Sequence, residues 1–137
     1  MEENIEIKIR YLEMIQGIIT RMSTNSFALK GWAVTLVAGI FALASKESDK
    51  IYFLIAYVPL VIFWFLDSYY LQLERKYRKL YEESTQKQPN EIDFQLKVPQ
   101  SNIDDKTLYL QCFISRTECG FYFPSALLVA LITIISQ

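Results

Sequence analysis

The feature that most constrains this chain is the separation of its charges from its apolar residues. Gly31–Ala44 contains no charged residue, nor does Ile51–Leu66, and between them lies the polar loop Lys46-Glu47-Ser48-Asp49-Lys50. Two uncharged runs around a short polar loop read as a transmembrane helical hairpin, because a helix satisfies its own backbone hydrogen bonds inside a bilayer. The runs hold 14 and 16 residues, fewer than the roughly 20 of an ordinary span. A soluble bundle with long buried helices is therefore the competing reading. Ser26–Ser45 is apolar apart from Lys30, and this sets the expected spans at about 26–45 and 51–70, with Pro59 expected to bend the second. Hydrophobic residues make up 52% of the chain, yet the mean hydropathy is only +0.16, because the charges are gathered outside these runs.

Both arms continue past the apolar runs as amphipathic helices. Ile5, Leu12, Ile15, Ile19 and Met22 recur at heptad-like spacing before the first run. Tyr70, Leu73, Tyr77 and Leu80 continue a 3-4-3 stripe after the second, with Glu74, Arg75, Lys76, Arg78 and Lys79 on the solvated faces. The arms match in length, so Leu12, Ile15 and Ile19 are expected to pair with Tyr70, Leu73, Tyr77 and Leu80 in a cytoplasmic stalk. The cluster Ser23-Thr24-Asn25-Ser26 either caps a new helix or sits within a continuous one.

Residues 85–103 form a polar connector in which Ile92–Val98 is expected as a short strand. Ser101 followed by Asp104 suggests a cap for a helix from about Asp104 to Arg116. The apolar segment Gly120–Gln137 follows, as a third span or a re-entrant helix, with Pro124 near its start. The expected fold is an all-α membrane protein: a transmembrane helical hairpin with both helices extended into the cytoplasm, plus a C-terminal hydrophobic helix. Its parts are an N-terminal amphipathic helix (1–25), the hairpin (26–72), a cytoplasmic extension and connector (73–103) and a C-terminal region (104–137).

Four Lys and Arg precede the first run, two lie in the loop and eight follow the second run. The positive-inside rule then places the N-terminus and the long polar region in the cytoplasm of a bacterial inner membrane, crossed more than once. Trp32, Trp64, Tyr69 and Tyr70 read as an inner aromatic belt, and Tyr52 as part of an outer one.

Folding the hairpin about residue 48 brings Lys30 and Asp67 to one depth. Charges there need a partner or a route to water. They read either as a pair that fixes register or as a ring at the mouth of an oligomeric pore. Gly31, Thr35 and Gly39, with Ala38 and Ala42 beside them, form a small-residue face suited to close helix packing, within the hairpin or between subunits.

Catalysis is not expected. The chain has no histidine, no Gly-rich phosphate loop and no nucleophile–base arrangement. Cys112 and Cys119 fit neither a disulfide framework nor a zinc site, so neither metal nor cofactor is expected. The basic and aromatic stretch from Glu74 to Lys79 reads as a topology-setting juxtamembrane segment, and no specific nucleic acid is expected as a partner.

Ile18-x-x-Arg21-Met22-x-x-Asn25-Ser26-Phe27, ahead of a span containing Thr35, resembles the RipA-like octameric membrane proteins of bacteria. So do Trp64-x-Leu66-x-Ser68-Tyr69-Tyr70-x-x-Leu73, running on to Lys76-Tyr77 and Leu80, and Thr117-Glu118 with Pro124 near the C-terminus. The resemblance implies a ring-forming protein with two spans per subunit, similar in layout to small membrane effectors of anti-phage and CRISPR systems. Some relatives carry an Arg–His motif, which a chain without histidine cannot supply. The expectation is a pore-forming or depolarising homo-oligomer, and the resemblance implies an octamer. Its partners would be the bilayer and a cytoplasmic protein or nucleotide signal. The alternative is a non-catalytic membrane anchor or scaffold.

Overall fold

The computed structural model describes residues 2–44, 54–98 and 108–135. Within them lie four α-helices: α1 (Glu2–Ala44), α2 (Tyr57–Gln86), α3 (Tyr109–Phe113) and α4 (Arg116–Ile135). A single 3-10 turn spans Pro89–Glu91, and no strand occurs among the described residues. The polar loop 46–50, Tyr52 and the expected cap at Ser101–Asp104 fall outside the described residues.

α1 is one unbroken helix of 43 residues, about 65 Å long at 1.5 Å per residue. Ser23–Ser26 therefore sits in mid-helix and caps nothing. α2 runs antiparallel to it. Lys8 lies at the far end of α2, where its Nζ donates to the carbonyls of Thr85 and Lys87 at 2.8 and 2.7 Å. A cation at that end suits the partial negative charge of a helix C-terminus. Pro59 lies in the first turn of α2, where its missing N–H has no intrahelical partner to lose, and the turn at Ala56 separates α2 from the helical residues Leu54 and Ile55, so the helical path of the second run is interrupted just ahead of the proline.

Two apolar clusters hold the pair together. Tyr11, Ile15, Ile19 and Leu80 are buried in one, with Tyr77, Tyr81, Ile92, Leu96 and Val98 packed around them. Leu12, Tyr70 and Leu73 are only half-buried, so the inward ridge of α1 runs through Tyr11 rather than Leu12. The spacing explains this: 11, 15 and 19 form a straight four-residue row on a helix. Ala33, Val37, Ala56, Leu60, Tyr122 and Val129 make the second cluster, where α1, α2 and α4 meet.

Residues 92–98 have no regular secondary structure and pair with no strand among the described residues. They lie across the α1·α2 pair as a strap, with Tyr11 Oη donating to the Gln95 carbonyl at 2.9 Å and Phe94 edge-on to the Tyr11 ring. Side-chain burial against helices fixes this segment, and no β-ladder is available to it. At the other end, the expected helix to Arg116 stops at Phe113. The chain turns at Ile114, and α4 begins at Arg116 with Glu118 N donating to Ser115 Oγ at 3.4 Å. This early start puts Pro124 in the interior of α4 rather than near its beginning.

α1 and α4 are each long and apolar enough to cross a membrane. Their most apolar windows have a mean hydropathy of 1.8 and are only 17% buried.

Candidate functional site

Beside the second apolar cluster, α1, α2 and α4 also bury polar groups. Asp67 and Ser68 of α2, and Glu118 of α4, are fully inaccessible to solvent. Lys30 of α1 projects between them. Its Nζ donates to Asp67 Oδ2, to Glu118 Oε1 at 3.2 Å and to Ser26 Oγ at 3.1 Å. Tyr122 Oη donates to the same Asp67 oxygen at 3.1 Å. The rings of Phe121 and Tyr122 flank the ammonium, each centroid 5.9 Å from Nζ.

Local sequence explains how each group arrives. Ser26 and Lys30 are one turn apart on α1, as are Glu118 and Tyr122 on α4, so each pair shares a helix face. α4 turns Glu118, Tyr122 and Val129 inward and leaves Phe123, Leu127, Leu128, Leu131, Ile134 and Ile135 outside. Ser68 Oγ donates back to the Trp64 carbonyl at 2.7 Å, which satisfies that hydroxyl without using the cluster.

The cluster is held shut by Trp64. Its indole stacks on Phe113 at 4.4 Å and lies nearly parallel to Tyr122 at 5.7 Å, while Nε1 donates to the Phe113 carbonyl at 3.1 Å. Trp64 therefore faces inward as a spacer between α2 and α4, a correction to its reading as part of an aromatic belt. Tyr57 and Tyr109 add ties, donating to the carbonyls of Ala126 and Phe65 at 3.3 and 2.9 Å. Trp32 and Tyr69 are exposed and Tyr70 half-buried. Beside α3, burial pushes the Cys112 thiol up from its ordinary value, and Arg75, 3.6 Å from Sγ, opposes that shift. Cys119 is half-buried nearby.

The structure thus brings Lys30 and Asp67 together and adds Glu118 and Tyr122. The small-residue face is placed differently. Gly31, Thr35, Ala38, Gly39 and Ala42 are exposed, and a side chain added at Gly31 or Gly39 would meet nothing within 4 Å. The close contact of α1 within the chain is made instead by Ala33, Val37 and Ala44.

Glu118 carried a signal in the sequence: a lone acid three residues after Ser115, at the head of an otherwise apolar helix. That pattern reads as a capping box, but the carboxylate turns to Lys30, 88 residues away. Removing the Tyr122 hydroxyl should weaken the cluster without opening it. Tyr122→Phe is expected to cost about 2 kcal/mol, the usual worth of a hydrogen bond to a charged acceptor, read as a lower midpoint of unfolding in detergent.

No protein-family model matches the chain, and no curated protein or solved structure is significantly similar to it.

Proposed function

We propose that this chain is a non-catalytic, multi-pass protein of the bacterial cytoplasmic membrane, with its N-terminus inside, that assembles into a homo-oligomer and forms or gates a pore. One observation carries the reading: ionisable groups are buried between helices whose outer faces are apolar. Around the convergence of α1, α2 and α4, charged groups are sealed inside, while Phe27, Trp32, Leu43, Phe65, Leu128 and Ile135 are exposed. In water such a surface would far exceed the apolar patches that soluble monomers tolerate. In a bilayer it is the expected arrangement, with lipid outside and ionisable groups paired within the bundle.

In this reading α1 and α2 form a transmembrane hairpin whose polar arms stand in the cytoplasm as a strapped stalk, and α4 is a third crossing. The outward face of Gly31, Thr35 and Gly39 supports contact between subunits, since small residues let helices approach closely where lipid supplies no hydrophobic drive. The ring stoichiometry and the anti-phage context rest on the resemblance to the RipA-like octameric proteins.

A second reading, an anchor that holds a cytoplasmic partner on its stalk, is favoured by the apolar character of the exposed faces of α4 and of α1 beyond Lys30. A pore lined that way must gate by dewetting. Native mass spectrometry of the nanodisc-embedded protein, followed by bilayer conductance, separates the readings. A closed ring that conducts supports the pore. A monomer or dimer, or a ring that leaves the bilayer sealed under every condition, leaves the anchor. Release of the protein from membranes by alkaline carbonate would remove both.

A further inference from the structure

The charge cluster is incomplete as it stands. It contains two carboxylates and one ammonium, so with all three ionised it carries one negative charge in excess. Both carboxylates are fully buried, and one oxygen of each, Asp67 Oδ1 and Glu118 Oε2, has no hydrogen-bond partner among the described residues. A buried carboxylate oxygen without a donor is costly, and an uncompensated buried charge more so. The neighbouring groups among the described residues do not supply the deficit. On α1, Lys30 and Ser26 are already engaged with each other and with the carboxylates. On α4, the Tyr122 hydroxyl is committed to Asp67 Oδ2, and at its head Ser115 Oγ accepts from the Glu118 amide. On α3, Cys112 interacts with Arg75 of α2.

We propose that Asp67 Oδ1 and Glu118 Oε2 together bind one exchangeable monovalent cation, a proton or a sodium ion, which neutralises the cluster and holds α4 against α1 and α2. The charge count fixes the valence. One added positive charge brings the sum of Lys30, Asp67 and Glu118 to zero, whereas a divalent ion would leave an excess of the opposite sign beside an ammonium. The ligand chemistry is that of hard oxygen donors, which take a proton or a hard cation, and the larger sets of three or more acidic, histidine or cysteine side chains that hold divalent and transition metals do not occur among the described residues. Either occupant comes from the adjoining water, the proton leaving its hydronium carrier as water and the sodium ion shedding hydration water, and no covalent chemistry is involved beyond protonation of an oxygen. When it leaves, the excess charge must be hydrated or separated, and the joint between α4 and the α1·α2 pair is where water can enter. This goes beyond the pore-or-anchor reading and does not depend on it, because ion occupancy is measurable in micelles without any conduction.

The test compares the full chain with Glu118→Gln in detergent micelles. That variant keeps the size of the side chain and leaves Lys30 and Asp67 as a neutral pair. Thermal unfolding is followed in sodium chloride against choline chloride at constant ionic strength, and infrared difference spectra are recorded across a pH series. If sodium is the occupant, the midpoint of the wild type rises with sodium by about 5 °C or more and that of the variant does not. If a proton is the occupant, the wild type shows a protonated-carboxyl stretch that disappears on alkalinisation and is missing from the variant, with no sodium dependence. Asp67→Asn makes the same comparison should Glu118→Gln not fold. The proposal is overturned if the wild type shows neither response, or if the variant keeps whichever response the wild type has.

Discussion

Lys30→Met is expected to be among the most damaging substitutions available in this chain. It removes the ammonium that Asp67 and Glu118 share and leaves two fully buried carboxylates facing each other. Breaking a buried pair by deleting one partner costs about 3–5 kcal/mol, largely the penalty of stranding the other charge. Two are stranded here, so the upper part of that range applies. The measurement is denaturant unfolding in micelles together with alkylation of Cys119, which lies one residue from Glu118 and should become reactive as α4 lifts away. A companion variant tests the cause. Lys30→Met combined with Asp67→Asn and Glu118→Gln removes all three charges, and it should recover most of the loss, because a neutral cluster of similar volume is often as stable as a buried ion pair. If Lys30→Met alone unfolds like the wild type, the cluster does not hold the helices together.

The second large effect concerns the ring that closes the site. Trp64→Ala removes the surface on which Phe113 and Tyr122 stack and the donor to the Phe113 carbonyl. Truncating a tryptophan in a core costs about 3–5 kcal/mol. Trp64 is half-buried, so the lower end, about 3 kcal/mol, is expected. The loss should fall on the docking of α3 and α4, with the strapped end around Ile15 and Leu80 unaffected. Local opening of that size raises the open population roughly a hundredfold. Alkylation of Cys112, expected to be slow in the wild type because its thiol is buried and pushed up, should accelerate in proportion. Trp64→Phe keeps a stacking ring and loses only the Nε1 hydrogen bond, for about 1 kcal/mol. An equal effect from both variants would mean that stacking contributes nothing.

How much of this could be read from the chain depended on sequence distance. All-helical structure, the two arms and the paired depth of Lys30 and Asp67 follow from periodicity and from folding about a polar loop, because those signals are local or symmetric. Glu118 and Tyr122 could not be placed beside them, since they reach the cluster through a connector whose path periodicity does not determine. The inward row of α1 was one residue off because a heptad reading takes Leu12 with Ile15 and Ile19, whereas the four-residue row takes Tyr11, which the strap's Gln95 carbonyl and Phe94 ring then engage. The same strap shows why alternation alone misreads 92–98: Ile92, Leu96 and Val98 pack on helices, and a strand pattern says nothing about whether a partner strand exists. Trp64 was misplaced for a different reason. An indole serves equally at a membrane interface or in a core where its N–H finds an acceptor, and here the acceptor is a carbonyl at the end of α3.

The continuity of α1 also has a mechanical side. Lys30 fastens the helix to two others, with 28 residues of α1 on its stalk side and 14 on the other. The strapped α1·α2 pair tilting against α4 at that point is an unequal lever, and the N-terminal tip of α1 travels twice as far as its Ala44 end. A tilt of about 5° about Lys30 would carry the tip through about 4 Å, given 1.5 Å of rise per residue, and the far end through half that. Force applied at the tip is correspondingly doubled at the Ala44 end.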